Sequence, residues 1–321
     1  MNKPKLEKAK NLEEIRKVCR PMPLKADELE AFFVETDSGR DSNQKTRQSI
    51  TESLKTIPNA RILFYGHGGC GKSTELSKLS TEIKNDFLIV SFSVRAEMNP
   101  IAIRAEDLIL IIAGKILKTA QEQGFKLQDS LLNPVLEYFT EVISIEKEKL
   151  SAGVGAKAGL SSGAILEKLL GIFVKLNGEI KYNAHGEQTS TAYLRKRPAD
   201  LLAQTNILIE AVKDALPEDK ELLVIVEDLD KIDLKQARDI YVQNASLLTG
   251  IEVSIIYTIP IFLFHSPDVG AFKPFFNNTI NLPMIKVYEP PYKRAGGFEI
   301  VKSVILERIE ENLIETDALE L

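Results

Sequence analysis

The chain has no tryptophan, only two cysteines and only three histidines among its 321 residues. Cys19 and Cys70 lie far apart in unlike contexts, which excludes a disulfide framework or a cysteine-rich zinc site and points to a reducing, cytoplasmic setting. His67, His185 and His265 are scattered, so a histidine-built metal centre is not expected. Long apolar runs are missing too. "LILIIAGKIL" (108–117) is short and interrupted by Lys115, so no transmembrane segment is expected. The opening "MNKPKLEKAKNLEEIRKVCR" interleaves acids with bases and has no apolar h-region, which predicts no signal peptide. A formal net charge of -5 gives no global attraction for nucleic acid; such contact would need a local basic patch.

What is present describes a globular protein. With 44% hydrophobic and 27% charged residues, the chain can bury a substantial core in one large or two ordinary domains. Apolar runs bounded by turn residues predict strands at "RILFY" (61–65), "FLIVSFSV" (87–94), "ELLVIVEDLDKID" (221–233), "IEVSIIYTIP" (251–260) and "NTINLPMIKVYE" (278–289). Helical spacing is read over 11–33, broken by "RPMP", then in "QKTRQSITESLKTI" and in "KSTELSKLSTEIK", where Leu76, Leu79 and Ile83 share a face. Two helices divided near Gly124 cover 103–150. Others follow in "RPADLLAQTNILIEAVKDALP", in "LKQARDIYVQNASLL" up to Gly250, and over about 297–313. Strand, helix and strand in close succession make a βαβ unit, so the expectation is an α/β fold with a parallel sheet of about five strands flanked by helices. No internal repeat is found.

Between the second and third strands the composition shifts. "SAGVGAKAGLSSG" is glycine-rich and lacks apolar bulk, whereas "AILEKLLGIFVKL" puts Ile165, Leu166, Leu169, Leu170, Phe173 and Leu176 near one helical face. The stripe could lie on the sheet, or a tethered helix could dock on a neighbouring subunit, an effector or, least favoured by its few lysines, a membrane surface. The expectation is an insertion that is mobile and dispensable for folding. The domain reading is therefore an N-terminal helical segment (1–50), a core (51–290) carrying an insertion at about 103–198, and a C-terminal helix (291–321) that could begin a lid.

Two short motifs carry chemistry. In "FYGHGGCGKSTEL" (64–76), Gly66 to Ser73 fits G-x-x-x-x-G-K-[ST] without departure, between an expected strand and an expected helix. Glycines let the backbone approach phosphates without a Cβ in the way, and exposed N–H groups at a helix start form an anion cradle. The expected nucleotide contacts are Gly66, His67, Gly68, Gly69, Cys70, Gly71, Lys72, Ser73 and Thr74; Lys72 would reach the β- and γ-phosphates and the Ser73 hydroxyl would ligate Mg²⁺. The second motif is "LLVIVEDLDK", where Glu227, Asp228 and Asp230 follow a run suited to a strand buried on both faces. Carboxylates at such a strand end can hold a magnesium hydration shell and orient or deprotonate an attacking water.

Together the phosphate loop and "VIVEDLD" resemble the additional-strand division of P-loop NTPases, in particular the AAA+ and STAND ATPases, over roughly residues 34–287. The resemblance implies a P-loop sheet, ATP or ADP with Mg²⁺, and hydrolysis. It makes Ser73, Glu227 and Asp228 the metal-facing residues, Lys72 and either Asp228 or Asp230 catalytic, and Thr258 in "IIYTIP" a polar sensor. Glu227 stands where the family usually carries aspartate, and the stretch after the last strand is short for a helical lid. Arg308 is read as a residue of a solvated helix in preference to the start of a lid, and "VETDSGRD" with Arg40 either as an upstream loop framing the base or, equally, as a surface turn. The leading functional expectation is a nucleotide-controlled switch working through self-association or an effector protein, as in STAND proteins of signalling and anti-phage defence. Alternatives are a DNA-linked AAA+ ATPase, supported by "YLRKRP" (193–198) and the basic N-terminus, a small-molecule kinase, and a non-enzymatic scaffold.

Overall fold

Strands that are apolar throughout need cover on both faces, whereas strands with intermittent exposure belong at the edges of a sheet. That rule orders this one. The computed structural model describes residues 6–40, 45–98, 103–148, 162–182 and 190–319. Five parallel strands, β1 (Arg61–Tyr65), β2 (Phe87–Ser93), β3 (Glu221–Glu227), β4 (Ser254–Thr258) and β5 (Asn278–Asn281), form a sheet in the order β2-β3-β4-β1-β5. β4 is buried at every residue and β3 and β1 at all but their ends, while β2 and β5 at the edges keep partly exposed residues. β2 and β3 run in register from Phe87 opposite Glu221 to Ser93 opposite Glu227.

The chain separates into two units. One comprises Met1–Lys55, Phe64–Lys84 and Ile280–Leu321. Its early helices, Leu12–Val18 and Ala26–Phe32, are divided where "RPMP" predicts a break, and Leu24, Leu29 and Phe32 form a small buried cluster. The segment around Ala9 is held to the end of the chain by Ala9 N–H donating to the Arg308 carbonyl (2.8 Å) and Glu310 N–H donating to the Ala9 carbonyl (3.1 Å). The last α-helix, Gly297–Leu306, is shorter than expected, and Glu311–Leu313 is a separate 3-10 turn. Arg308 therefore lies beyond the helix rather than on a solvated face; it is half-buried and donates to the Val304 carbonyl (2.6 Å).

The other unit comprises Thr56–Leu63 and Asn85–Thr279. Its centre is the helix Ala105–Glu122, in which every residue from Leu108 to Ala113 is buried. A helix apolar on all sides must be surrounded by protein or by lipid. Here the helices Pro198–Lys213 and Ser162–Tyr182 pack against it, and Asp129–Glu148 packs on both of those. Among the described residues no helix is long and apolar enough to cross a membrane.

Within the expected insertion, the helix Ser162–Tyr182 has its apolar stripe covered. Ile165, Leu169, Phe173 and Leu176 are all buried, and the Phe173 ring meets Phe139 edge-on with centroids 5.0 Å apart. The stripe is covered by neighbouring helices, which the sequence pattern cannot name because periodicity gives a face and not its partner. Most of the glycine-rich stretch, 151–161, and residues 183–189 with His185 lie outside the described residues. The helix expected across 234–249 is also divided, into Leu234–Arg238, a π-helical turn Asp239–Gln243, and Ala245–Thr249. Asn244 closes the wide turn, its N–H donating to the Asp239 carbonyl (3.1 Å) and its side-chain amide to the same oxygen (2.9 Å).

Candidate functional site

The phosphate-loop motif occupies a strand-to-helix turn, as expected. β1 ends at Tyr65, whose carbonyl accepts from Leu282 N–H at 2.8 Å, and a helix of 12 residues, Lys72–Ile83, follows Gly71. Glycine is required by geometry at several positions of this loop, Gly69 (φ 80°) among them. A Cβ at Gly66 would lie 2.5 Å from the Leu282 carbonyl oxygen, and Gly71 has φ 100°, in the left-handed region that side chains rarely adopt. The loop folds round Lys72. Its ammonium donates to the carbonyls of Gly66 (2.9 Å) and His67 (3.0 Å), and the residue is 6% exposed. His67, Gly68 and Gly69 face outward, and Ser73 and Thr74 are half-buried in the helix's first turn, where backbone N–H groups lack intrahelical partners. Backbone that only glycine can supply, a buried ammonium and a helix N-terminus together suit a polyanion.

A second layer supports this loop. Arg40, 6% exposed, donates through Nε to Thr36 Oγ1 (3.1 Å), through Nη2 to the Cys70 carbonyl (2.9 Å), and through Nη1 to the Pro283 carbonyl. The Thr36 hydroxyl in turn donates to Glu75 Oε1 (3.3 Å), and Glu75, 3% exposed, also accepts from Arg47. Burial pushes the Glu75 carboxyl up, and the Arg47 guanidinium beside it opposes that. Arg47 further pairs with Glu35 (2.5 Å) and Glu82 (3.1 Å). The upstream loop expected to frame a base thus turns the Arg40 guanidinium onto protein carbonyls and a hydroxyl. Thr36, Arg47 and Glu75 are absent from the sequence reading. Glu75 was discoverable, because it falls on the buried side of its helix with Leu76, Leu79 and Ile83.

The acidic strand end is built around Asp228. β3 stops because Asp228 takes φ 67°, turning the chain into the 3-10 segment Leu229–Lys231. One Asp228 oxygen accepts from Ser93 Oγ at the end of β2, and the other pairs with Lys231 Nζ at 2.5 Å. Burial works to raise this carboxyl's pKa, but the hydrogen bonds from Lys231 and Ser93 outweigh it and hold the group below its usual range. Asp228 is therefore an ionised carboxylate at neutral pH. Glu227 is half-buried and accepts from Ser91 Oγ (3.3 Å); Asp230 is likewise half-buried, on the 3-10 turn. Ser93 was missed, although the pairing of β2 with β3 sets it opposite Glu227.

Thr258, expected as a sensor, is 2% exposed and holds this turn together. Its hydroxyl donates to the Val226 carbonyl (3.2 Å) and accepts from Leu229 N–H (3.1 Å), while its own carbonyl accepts from the buried Tyr241 hydroxyl (2.7 Å). Thr258→Val keeps the shape but strands the Leu229 donor. It should cost about 1–3 kcal/mol in urea denaturation, and a loss under about 0.5 kcal/mol would show the hydroxyl to be idle.

The basic run "YLRKRP" is largely committed within its own unit. Arg195 makes a bidentate pair with Asp107 (3.0 and 2.9 Å), and the Arg197 guanidinium lies 4.9 Å from the centre of the Tyr193 ring. No group of three or more His, Cys, Asp or Glu side chains able to hold a metal ion occurs among the described residues. Glu227 and Asp228 are hard oxygen donors of the kind Mg²⁺ takes, and so, within its own unit, is the Ser73 hydroxyl. Compared with protein-family models, curated proteins and solved structures, the chain matches none.

Proposed function

We propose that the chain binds ATP or ADP with Mg²⁺ and hydrolyses ATP as a nucleotide-controlled switch. The observation that carries this reading is the loop Gly66–Gly71 wrapped round the buried Lys72 ammonium at the start of a helix. In this reading Lys72 and the N–H groups of residues 66–74 receive the phosphates, and the Ser73 hydroxyl faces the metal. Bound Mg²⁺ would offset charge on the β- and γ-phosphate oxygens. Asp228, ionised and oriented by Ser93 and Lys231, is suited to align the attacking water and take its proton; Asp230 is the competing acid. Thr258 acts at one remove, by fixing the turn that carries Asp228.

The switch is read out through self-association or an effector protein, in signalling or anti-phage defence, and in a cytoplasmic setting consistent with a chain that has only two cysteines. The inward commitment of Arg195 weakens the case for a nucleic-acid partner built on its basic run. Asp228→Asn preserves shape and removes the charge. Its affinity for Mg·ATP should stay close to wild type while turnover falls about 100-fold or more. If only Asp230→Asn behaves this way, Asp230 is the acting acid; if neither does, both acids are structural. A wild-type chain that binds no nucleotide in calorimetry overturns the reading.

A further inference from the structure

The support behind the phosphate loop has a use beyond holding the fold. A trans peptide is planar, with its C=O and N–H directed to opposite sides. The Cys70–Gly71 peptide presents its carbonyl to Arg40 Nη2 at 2.9 Å, so the Gly71 N–H points away from Arg40, at the start of the helix Lys72–Ile83. Gly71 sits at φ 100°. Glycine tolerates positive and negative φ alike, so this peptide can rotate at little cost unless something grips it.

Arg40 supplies that grip and is itself held firmly. Its three donating nitrogens engage Thr36 Oγ1, the Cys70 carbonyl and the Pro283 carbonyl, and its main chain is fixed by Arg40 N–H to the Asp37 carbonyl (3.1 Å). The neighbouring Gly39 carbonyl accepts from Lys286 N–H at 2.8 Å. Three acceptors in different directions suit a planar guanidinium fork and not the single point charge of a lysine. The geometry points to Arg40 as a positioning residue for phosphate binding, one that never touches the ligand but sets the direction of the Gly71 N–H. This rests on the nucleotide reading proposed above. It also makes the loop's affinity conditional on the docking of residues 36–40.

The test uses the full chain and three variants, Arg40→Gln, Arg40→Lys and the milder Thr36→Val, which removes one acceptor of the fork. Calorimetry with Mg·ADP and with inorganic pyrophosphate is run below the onset of unfolding of each protein. Arg40→Gln and Arg40→Lys should each raise Kd for both ligands about tenfold or more, with a smaller rise in Thr36→Val. The Gly71 amide resonance should move in all three without ligand. A lowered Tm with wild-type Kd would make Arg40 merely structural, and recovery of affinity by lysine but not glutamine would make it a charge effect; either result overturns the proposal. If Arg40→Gln does not fold, unchanged affinity in Thr36→Val with an unmoved Gly71 resonance overturns it as well. A wild type that binds neither ligand removes the nucleotide reading and this inference together, whereas binding that survives Arg40→Gln unchanged removes this inference alone.

Discussion

Lys72→Ala should reduce affinity for Mg·ATP and Mg·ADP by about 100-fold or more, because charge-assisted hydrogen bonds to phosphate are among the stronger polar contacts and the Arg40 guanidinium beside the loop is already engaged by protein acceptors. The ammonium already sits where the loop converges, donating to the Gly66 and His67 carbonyls at 2.9 and 3.0 Å. In the function proposed above, phosphate oxygens would replace those two carbonyls as acceptors, so the group would exchange partners and stay in place. Truncation removes the charge and also leaves the Gly66 carbonyl, in a buried residue, without its donor. Lys72→Met, which keeps the apolar stem, should fail to bind just as Lys72→Ala does while folding more stably. Equilibrium binding by calorimetry, with circular dichroism to verify folding, checks both. Wild-type affinity in either variant would show that the loop is a glycine-rich turn with an incidental lysine.

Four strands were legible because each contains a short apolar run closed by turn residues, and "RILFY" matches β1 residue for residue, whereas the fifth, expected over 278–289, ends at Asn281. Their order in the sheet was not, since burial of an edge strand differs from that of an inner one only in a few residues. The strand-to-helix turn at Gly66–Gly71 was legible for a different reason: positive φ and close backbone approach leave a fixed spacing of glycines. Polar residues that act on backbone leave no such trace. Thr258 carries the same letter whether it faces a ligand or clasps Leu229, and only its burial and two hydrogen bonds separate the cases. The stripe from Ile165 to Leu176 was read as a helix face, yet what covers it depends on helices distant in sequence. The π turn at Asp239–Gln243 breaks a pattern that reads as one continuous helix. Tyr241 within it reaches the Thr258 carbonyl, so the irregularity lies next to the turn that carries the acids.

Arg195 gives the clearest case of a charge whose surroundings reverse its meaning. Within "YLRKRP" it reads as part of a basic run available to nucleic acid, but its guanidinium forms two bonds to Asp107, which is 0% exposed at the start of the helix Ala105–Glu122. Burial pushes the Asp107 carboxyl up, and Arg195 opposes that push. Removing the arginine leaves an uncompensated charge in the core, so Arg195→Met should cost about 3–5 kcal/mol even though the methionine fills much of the same space. The loss should depend on pH. Without its partner, Asp107 rises further above its unfolded value of about 3.9, and the folded state then holds a proton that the unfolded state releases. Stability of the variant is accordingly fullest below that unfolded value and falls as pH rises through the folded one, so the deficit at pH 7 should exceed that at pH 4. Replacing both partners, Asp107→Leu with Arg195→Met, removes the stranded charge and should recover most of the lost stability. Urea midpoints for wild type, single and double variants at both pH values give the comparison. A single variant within about 1 kcal/mol of wild type, or a deficit that is the same at both pH values, would mean that water reaches Asp107 and that the pair behaves as a surface contact.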